Sequence, residues 1–279
     1  MNFTTFARHC TWLLALLLPG TASVAADLTL AVTPRFAPEE ILARVTPLKE
    51  RLQAALGKSI DIVIAPDFKD FENKLKGGQV DIAYSNPTIY PNASDVMVAV
   101  AMSSEGASGE RLRGIIITRA DSNIVSLEDL KGRSVAIVSR KSTGGYLSQK
   151  VTLEKAGVNL ADLQVQEALE NKQENVILSV FHGEVDAGFI NEDALHIADS
   201  YVPPSQIRII LRTAWMPNWA LAVKRSLPDA LKAKIRDTVV GLKADDPALK
   251  ALKIKAFVPA SDADYDIVRQ AAGMAIPQR

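Results

Sequence analysis

Cysteine is almost absent from this chain. Its 279 residues include one cysteine, Cys10, which lies in an N-terminal segment that we expect to be removed. The remaining chain would then hold no disulfide, no thiolate nucleophile and no cysteine-based metal site. Its stability would have to come from a hydrophobic core, and the chain is long enough for one large or two ordinary domains.

An excess of charge of one sign is also missing. Lys+Arg and Asp+Glu both number 32, so the formal net charge is zero. No global field would attract nucleic acid or a membrane surface, and we predict no nucleic-acid partner. The hydrophobic, charged and aromatic fractions of 48%, 23% and 6% are those of a soluble globular protein. A bound anion would therefore be held by local dipoles.

The sequence also lacks familiar catalytic motifs. It contains no Gly-x-Ser-x-Gly elbow, no P-loop, no Gly-x-Gly-x-x-Gly and no His-Glu-x-x-His. Of its three histidines, His9 lies in the N-terminal segment and His182 ends a predicted helix. Glu192 and His196 have a spacing that could hold a metal, but a single pair of this kind is more often a surface pair. We predict a binding protein, with no enzyme activity, cofactor or metal.

The first 26 residues have the pattern of a secretory signal peptide. Arg8 and His9 precede a short apolar run at residues 12–18, and small residues follow up to Ala26. We predict cleavage after Ala26 or one residue earlier. The run is too short to span a bilayer, and the alternative is an uncleaved anchor. The only cysteine precedes the run, which argues against a lipoprotein, so we expect a periplasmic protein.

The remaining sequence alternates predicted strands and helices, as α/β proteins do. Strands are predicted at residues 28–32, 60–65, 80–84, 113–119, 134–138, 163–165, 185–190, 207–211 and 219–223. Helices are predicted at residues 38–56, 68–76, 126–132, 146–156, 173–182, 229–242 and 262–274. The strand–helix series restarts near residue 113. We predict two α/β lobes, each a mainly parallel sheet flanked by helices, with a ligand cleft between them.

The chain is predicted to visit the first lobe twice. Residues 27–117 would form the first part of lobe 1, residues 118–215 lobe 2, and residues 216–279 the return segment and C-terminal helices of lobe 1. Two crossovers, near residues 117–122 and 212–218, would act as a hinge. Ligands favour the cleft between such lobes.

One segment between a predicted strand and the next helix reads Arg140-Lys141-Ser142-Thr143-Gly144-Gly145-Tyr146. Its backbone N–H groups at the start of a helix, next to small side chains, would form an anion site. The alternative is an ordinary helix cap with glycines that serve turn geometry.

Three further polar loops follow predicted strands, at residues 33–36, 84–90 and 191–193. The carboxyl ends of parallel strands meet at one edge, so these loops are expected to converge. In the second loop, Tyr84 would line a wall and Ser85 would donate a hydrogen bond; the alternatives are core packing and helix capping. In the third, Glu192 or Asp193 would accept a hydrogen bond from a protonated oxyanion, or cap the next helix.

An ordered set of motifs along the chain resembles a known family. The motifs are Asp81-Ile82-Ala83-Tyr84 with Asn86-Pro87 and Tyr90, Leu127 to Ala136, Ser142 to Tyr146, Gly183 to Gly188, and Phe257 to Ala260 with Asp264-Tyr265. Together they resemble the phosphate/phosphite/phosphonate-binding proteins of ABC importers, a branch of the type II periplasmic binding proteins. The resemblance implies two α/β lobes that close on a small oxyanion and deliver it to an ABC permease. We expect a monomer.

The resemblance also implies a set of site residues. The oxyanion loop and its partners map onto Ser142, Thr143, Gly144, Gly145 and Tyr146, with Tyr84 in the first lobe and Glu192 or Asp193 after the second-lobe strand. Gly144 replaces the family's middle serine, which removes a hydroxyl and keeps the backbone donors. Gln173 replaces a histidine of phosphonate-binding members, and glutamine cannot become a cation near neutral pH. We therefore expect a ligand other than the family's commonest phosphonate.

Two other functions are open at this point. A sensor protein would present a bound oxyanion to a membrane histidine kinase, but arsenite-sensing relatives use a cysteine that the mature chain would lack. A hydrolase of phosphate esters is the enzyme alternative. Neighbouring genes would separate transport from sensing.

Overall fold

A computed structural model describes residues 26–278 of the protein. The predicted signal peptide, including His9 and Cys10 but not Ala26, lies outside the described residues.

Thirteen strands are seen in the described part of the chain. They are β1 (Leu28–Val32), β2 (Ile60–Val63), β3 (Ile82–Ser85), β4 (Met97–Ser104), β5 (Arg111–Leu112), β6 (Gly114–Arg119), β7 (Ser134–Ile137), β8 (Gln164–Glu167), β9 (Ala187–Asn191), β10 (Ile207–Arg212), β11 (Met216–Pro217), β12 (Ala220–Lys224) and β13 (Ala256–Pro259). Sequence analysis missed β4, β13 and the two-residue strands β5 and β11.

The α-helices are α1 (Pro38–Leu56), α2 (Phe68–Lys76), α3 (Ser148–Lys155), α4 (Gln173–Phe181), α5 (Asp229–Val240), α6 (Pro247–Leu252) and α7 (Asp266–Ala271). The first two have the predicted bounds, whereas α6 was not predicted. A 3₁₀ turn at Glu128–Leu130 takes the place of the helix predicted at residues 126–132. Its entry is fixed by Ser126, whose hydroxyl and backbone N–H both donate to the Asp129 carboxylate, at 3.0 and 2.9 Å.

Helix α1 illustrates how the sequence sets these bounds. Pro38 lies in its first turn, where the missing N–H costs no intrahelical bond. Its buried positions recur at helical spacing, at Ile41, Val45 and Leu48, and pack against the first sheet. The helix ends at Gly57, whose φ of +66° few other residues adopt.

The first sheet has six strands in the order β13-β4-β12-β3-β1-β2. Strand β1 runs parallel to β2 and β3, whereas β12 runs antiparallel to both β3 and β4. Apolar clusters cover both faces, one beneath α1, α5 and α6 and the other beneath α2 and α7.

The second sheet has five strands in the order β10-β6-β9-β7-β8. Strand β7 runs parallel to β8 and β9, whereas β6 runs antiparallel to β9 and β10. The prediction of two helix-flanked, mainly parallel sheets is confirmed: four strands of each sheet run in one direction, and β6, β12 and β13 run against them. Strands β6 and β12 each enter their sheet directly from a crossover at the cleft edge.

The crossovers pair with each other as a short ribbon of β5 and β11 between the two sheets. The second crossover lies where it was predicted. The first was misplaced, because residues 114–119 already form β6 and Ile115, Ile116 and Ile117 are wholly buried in the second sheet's core. The chain therefore crosses at residues 105–113. The lobe boundaries at residues 117 and 215 stay a prediction, although the first falls inside β6.

Candidate functional site

The loops after β3 and β7 meet between the two sheets. Thr88 Oγ1 and Thr143 Oγ1 are 2.6 Å apart, and Asn86 Nδ2 donates to the Lys141 carbonyl at 3.3 Å. Farther out, Lys141 Nζ lies 3.2 Å from a carboxylate oxygen of Glu72 on α2. Polar groups from both sheets thus line one cleft, as the convergence of loops predicts. Both Asn86 and Thr88 belong to the polar loop predicted at residues 84–90, where Thr88 is a possible donor, but neither was assigned to the ligand site.

The serine–glycine loop, residues 139–147, turns from β7 into a short π-helical turn that continues as α3. Ser142 caps this turn, because its hydroxyl accepts a hydrogen bond from the Gly145 N–H at 3.0 Å. The N–H groups of Thr143 and Gly144 come first in the turn, where no intrahelical acceptor exists. They have no hydrogen-bond partner among residues 26–278. The loop is therefore both a helix cap and a pair of open donors, so the two interpretations of the sequence are compatible.

Side chains at the two glycine positions of this loop would meet neighbouring residues at short distances. A Cβ atom on Gly145 would lie 2.4 Å from Cγ2 of Val138, which is closer than such atoms approach. One on Gly144 would lie 3.0 Å from the Asn191 Cβ and 3.3 Å from its Cα. A side chain at position 144 would therefore fit only if Asn191, at the end of β9, shifted by a few tenths of an ångström.

Gln149 on α3 holds the serine–glycine loop to strands β6 and β9. Its fully buried amide donates to the carbonyls of Gly144 at 2.7 Å, Ile115 at 3.0 Å and Ile190 at 3.0 Å. A buried amide with several acceptors fixes its surroundings, since each unpaired carbonyl would be costly. Sequence analysis missed this residue, because nothing local distinguishes it from an ordinary helical glutamine.

Tyr84 and Ser85 are buried at the end of β3, behind the surface of the cleft. Tyr84 is 3% exposed and packs on Trp219 and Phe257, with ring centroids 5.2 and 5.7 Å apart. Its hydroxyl donates to Glu105 at 3.2 Å. Burial, followed by the Glu105 charge, raises the pKa of Tyr84 well above its ordinary value, so the phenol stays protonated. Ser85 is wholly buried. Their roles as ligand contacts stay predictions.

Tyr146 and Gln173 both have partners inside the second sheet's half of the protein. The Tyr146 hydroxyl accepts from Arg140 Nη1 at 3.3 Å, and the guanidinium lies 5.8 Å from its ring centroid. The Gln173 side-chain oxygen accepts the Asn191 N–H at 3.0 Å, which ties the start of α4 to the end of β9. With its oxygen used as an acceptor, Gln173 keeps its amide N–H₂ as the group available to a ligand.

Glu192 sits in an ion-pair cluster with both crossover segments. Its carboxylate accepts from Arg113, and from Arg212 Nε at 2.7 Å. Burial raises the pKa of Glu192, but the hydrogen bonds and charges of the two arginines outweigh it, so the pKa falls below its usual value. Arg113 also stacks on Trp215, with its guanidinium carbon 4.4 Å from the ring centroid.

Asp193 accepts the Ser108 hydroxyl at 3.1 Å, from the first crossover. The expected helix cap is neither acidic residue: Asn191 caps the 3₁₀ turn Glu192–Ala194, through its side-chain oxygen and the Asp193 N–H at 3.2 Å. Because both carboxylates already have partners, a role in ligand binding for either residue remains a prediction.

The end of β1 adds an arginine to the cleft. Arg35 is exposed, and its guanidinium carbon lies 4.4 Å from the Trp219 ring centroid and 4.9 Å from that of Phe36. The loop that follows β1 is hydrogen-bonded to the loop that follows β3, since the Thr33 hydroxyl accepts a hydrogen bond from the Asn86 N–H at 3.1 Å. Sequence analysis noted this loop without assigning Arg35 to the site.

Other kinds of site are not supported within residues 26–278. No group of three His, Cys, Asp or Glu side chains there could hold a metal ion. His196 pairs with Asp199 at 3.0 Å, whereas the Glu192 carboxylate accepts hydrogen bonds from Arg113 and Arg212. No described helix has the length and hydropathy needed to cross a membrane.

Comparison with known proteins places this cleft in context. The chain is 27% identical over 274 residues to the phosphate-import protein PhnD of Mycolicibacterium smegmatis (strain ATCC 700084 / mc(2)155), covering 87% of this chain and 84% of that protein. Two solved structures share the fold. A Xanthomonas citri protein bound to ATP has a TM-score of 0.74 at 20% identity, over 88% of this chain and 95% of that one. PhnD1 from Prochlorococcus marinus (MIT 9301), in complex with methylphosphonate, has a TM-score of 0.72 at 15% identity, over 88% and 97%.

These likenesses extend over most of the chain and agree with the two mixed sheets and the cleft between them. The model of one family, described as ABC transporter, phosphonate, periplasmic substrate-binding protein, matches residues 30–265. The match includes all four loops at the cleft edge. The chain therefore belongs to the family of periplasmic substrate-binding proteins of phosphonate ABC transporters.

Proposed function

We propose that the protein captures a small tetrahedral phosphorus oxyanion, namely phosphate, phosphite or a phosphonate, in the cleft between its two sheets. The observation that carries this proposal is the pair of open N–H donors on Thr143 and Gly144, at the start of a helix. Such donors, together with the helix dipole, favour an anion. The adjoining hydroxyls of Thr143 and Thr88 supply donors from both sides of the cleft.

Family membership makes the protein a substrate-binding component and not an enzyme, and implies a small anionic ligand and an ABC permease partner. The finer assignments are part of our proposal. Ser142, Thr143, Gly144, Gly145 and Tyr146 bind the oxyanion, with Tyr84, Ser85, Gln173 and Glu192 or Asp193 around it. The signal peptide is cleaved near Ala26, and the mature protein works in the periplasm as a monomer.

Closure of the two lobes is the mechanism we propose for capture. The oxyanion adds contacts that only the closed arrangement can make, so it shifts the population towards that arrangement. The contacts of Lys141 with Glu72 and with Asn86 join the two sides of the cleft. No observation favours the alternative of presenting the ligand to a sensor kinase.

The experiment is a thermal-shift and calorimetric screen of the mature chain against phosphate, phosphite, methylphosphonate, sulfate, arsenate and arsenite. At about 100 times Kd, a ligand stabilises the folded state by about 2.7 kcal/mol. At least one phosphorus oxyanion should give this shift. A chain that responds to none of the anions contradicts the proposal.

The location of the site is tested by Thr143→Val, which keeps the side-chain volume and removes the hydroxyl. Losing a hydrogen bond to a charged ligand should weaken binding about tenfold or more. Ser126→Ala is the matched control, since it removes a turn hydroxyl at the opposite end of β7. Unchanged affinity in Thr143→Val, with wild-type binding intact, would place the oxyanion elsewhere.

A further inference from the structure

Arg35 is a cation in the cleft without a counter-charge. Its guanidinium has no hydrogen-bond acceptor or carboxylate partner among residues 26–278, although its five N–H donors are arranged for bidentate contacts. By contrast, Arg113 and Arg212 share the Glu192 carboxylate, Lys141 meets Glu72, and the Arg140 guanidinium donates to the Tyr146 hydroxyl. The edge of the Arg35 guanidinium is thus left open.

Aromatic stacking fixes the position of this guanidinium. Arg35 lies over Trp219, which is 8% exposed, and over Phe36. Phe36 is held in turn by Arg44, whose guanidinium carbon is 4.2 Å from the same ring centroid and which also pairs with Glu40. Stacking occupies the faces of a guanidinium and leaves its edge free to bind an anion.

The location of Arg35 ties it to the proposed oxyanion site. The Thr33 N–H donates to the Tyr84 carbonyl, and the Thr33 hydroxyl accepts the Asn86 N–H. Asn86 in turn donates to the Lys141 carbonyl at the start of the serine–glycine loop. Arg35 is also near enough to Tyr84 for its charge to oppose the rise in that phenol's pKa, which burial and then Glu105 cause.

Three acidic groups of the cleft accept hydrogen bonds, but of these only Glu192 is paired with cations from the described part of the chain. Both oxygens of Glu192 accept from arginines, Asp193 accepts the Ser108 hydroxyl, and one oxygen of Glu105 accepts from both Tyr84 and Ser103. A ligand with a cationic amine would place that charge near the unpaired Arg35 guanidinium. A second anionic group on the ligand would pair with the open edge of that guanidinium.

We infer that Arg35 binds a second anionic group of the ligand, so that the protein prefers phosphonates that carry a carboxylate over simple alkylphosphonates and aminoalkylphosphonates. This inference rests on the proposed function, because the phosphonate end is held by the serine–glycine loop. Arg35 acts at the other end of the same molecule, and its guanidinium binds the carboxylate through its free edge.

The experiment is isothermal titration calorimetry of the mature protein with phosphonoacetate, methylphosphonate and 2-aminoethylphosphonate. The wild-type chain is compared with Arg35→Gln, and with Arg44→Gln as the matched control, since that arginine stacks on the same ring and has its own carboxylate partner. Wild-type protein should bind phosphonoacetate most tightly. Arg35→Gln should weaken phosphonoacetate binding about tenfold or more and change methylphosphonate binding by less than about threefold.

The possible results separate this inference from the proposed function. If no phosphonate or phosphate binds the wild-type chain, the proposed function itself fails. If methylphosphonate binds but Arg35→Gln weakens all three ligands equally, Arg35 holds the oxyanion and the second-group inference is overturned. It is also overturned if 2-aminoethylphosphonate binds most tightly, or if Arg44→Gln has the same effect as Arg35→Gln. Equal melting temperatures of the variants confirm that folding is intact.

Discussion

Replacement of Glu192 by glutamine tests how the crossovers are held together. The Glu192 side chain is 19% exposed, and its carboxylate accepts three hydrogen bonds from Arg113 and Arg212. Glutamine keeps the shape but removes the charge, and it turns an N–H₂ group towards an arginine. The substitution therefore removes one member of a cluster that joins β9 to both crossovers.

The size of the effect follows from the burial of the partners. Hydrogen bonds to charged groups contribute about 1.5–3 kcal/mol when buried. Arg212 is 49% exposed, so solvent screens its share. We expect Glu192→Gln to lower the free energy of unfolding by about 1–3 kcal/mol at pH 7.

The sign of the pH dependence is fixed by the lowered pKa of Glu192. A carboxyl with a lowered pKa in the folded state stabilises the protein above its unfolded pKa of about 4.3, and this contribution is lost as the pH falls through the folded value. Below that value wild type carries a neutral carboxyl, much like the variant. The stability difference between the two proteins should thus be full at neutral pH and shrink in acid.

Urea unfolding of both proteins at several pH values between 7 and 3 measures this difference. Asp193→Asn is the control, because the neighbouring carboxylate accepts a single hydroxyl and pairs with no arginine; it should cost less than about 1 kcal/mol. A stability loss in Glu192→Gln that stays constant with pH, or none at neutral pH, would refute the ion-pair argument.

Three further substitutions test the cleft. Gly145→Ala should destabilise the protein by about 1–3 kcal/mol in urea unfolding, because the added methyl overlaps Val138; a neutral effect would show that the loop has room. Gln149→Leu should cost about 1–3 kcal/mol, since it removes buried hydrogen bonds to three main-chain carbonyls, and a stabilising result would contradict the anchoring role. Lys141→Met should increase the radius of gyration of the ligand-free protein in small-angle scattering at low salt, because the cross-cleft pair with Glu72 is lost; Lys76→Met, which removes the other cation beside Glu72, should leave it unchanged.

Local patterns in the sequence predicted much of the fold. Helices α1 and α2 were bounded correctly, because an apolar stripe ends at a glycine in each. Strand β4 was missed because its run of Met, Ala and Ser gives a weak strand signal. The first crossover was misplaced because the isoleucines of β6 read as a buried strand, and nothing local says to which sheet a strand belongs.

The candidate site divides in the same way. The serine–glycine loop was predicted, since a strand, small polar residues and a helix follow one another in sequence. The partners of its residues were not, because they come from elsewhere: Gly144 is constrained by Asn191, and Glu192 is paired with Arg113, 79 positions away. The ligand contact proposed for Arg35 rests on its stacking on Trp219 and on its lack of a carboxylate partner among the described residues. Neither can be predicted from the sequence near residue 35.

The position of β12 has a consequence for the order in which the protein can form. This strand lies between β3 and β4, but it begins at Ala220, 135 residues after β3 ends at Ser85. A chain made from its N-terminus cannot join β4 to β3 in the first sheet until residues 220–224 are available, so most of its length must be synthesised before that sheet forms. Such delay keeps the newly made chain unfolded for longer, the state in which a secreted protein is threaded across a membrane.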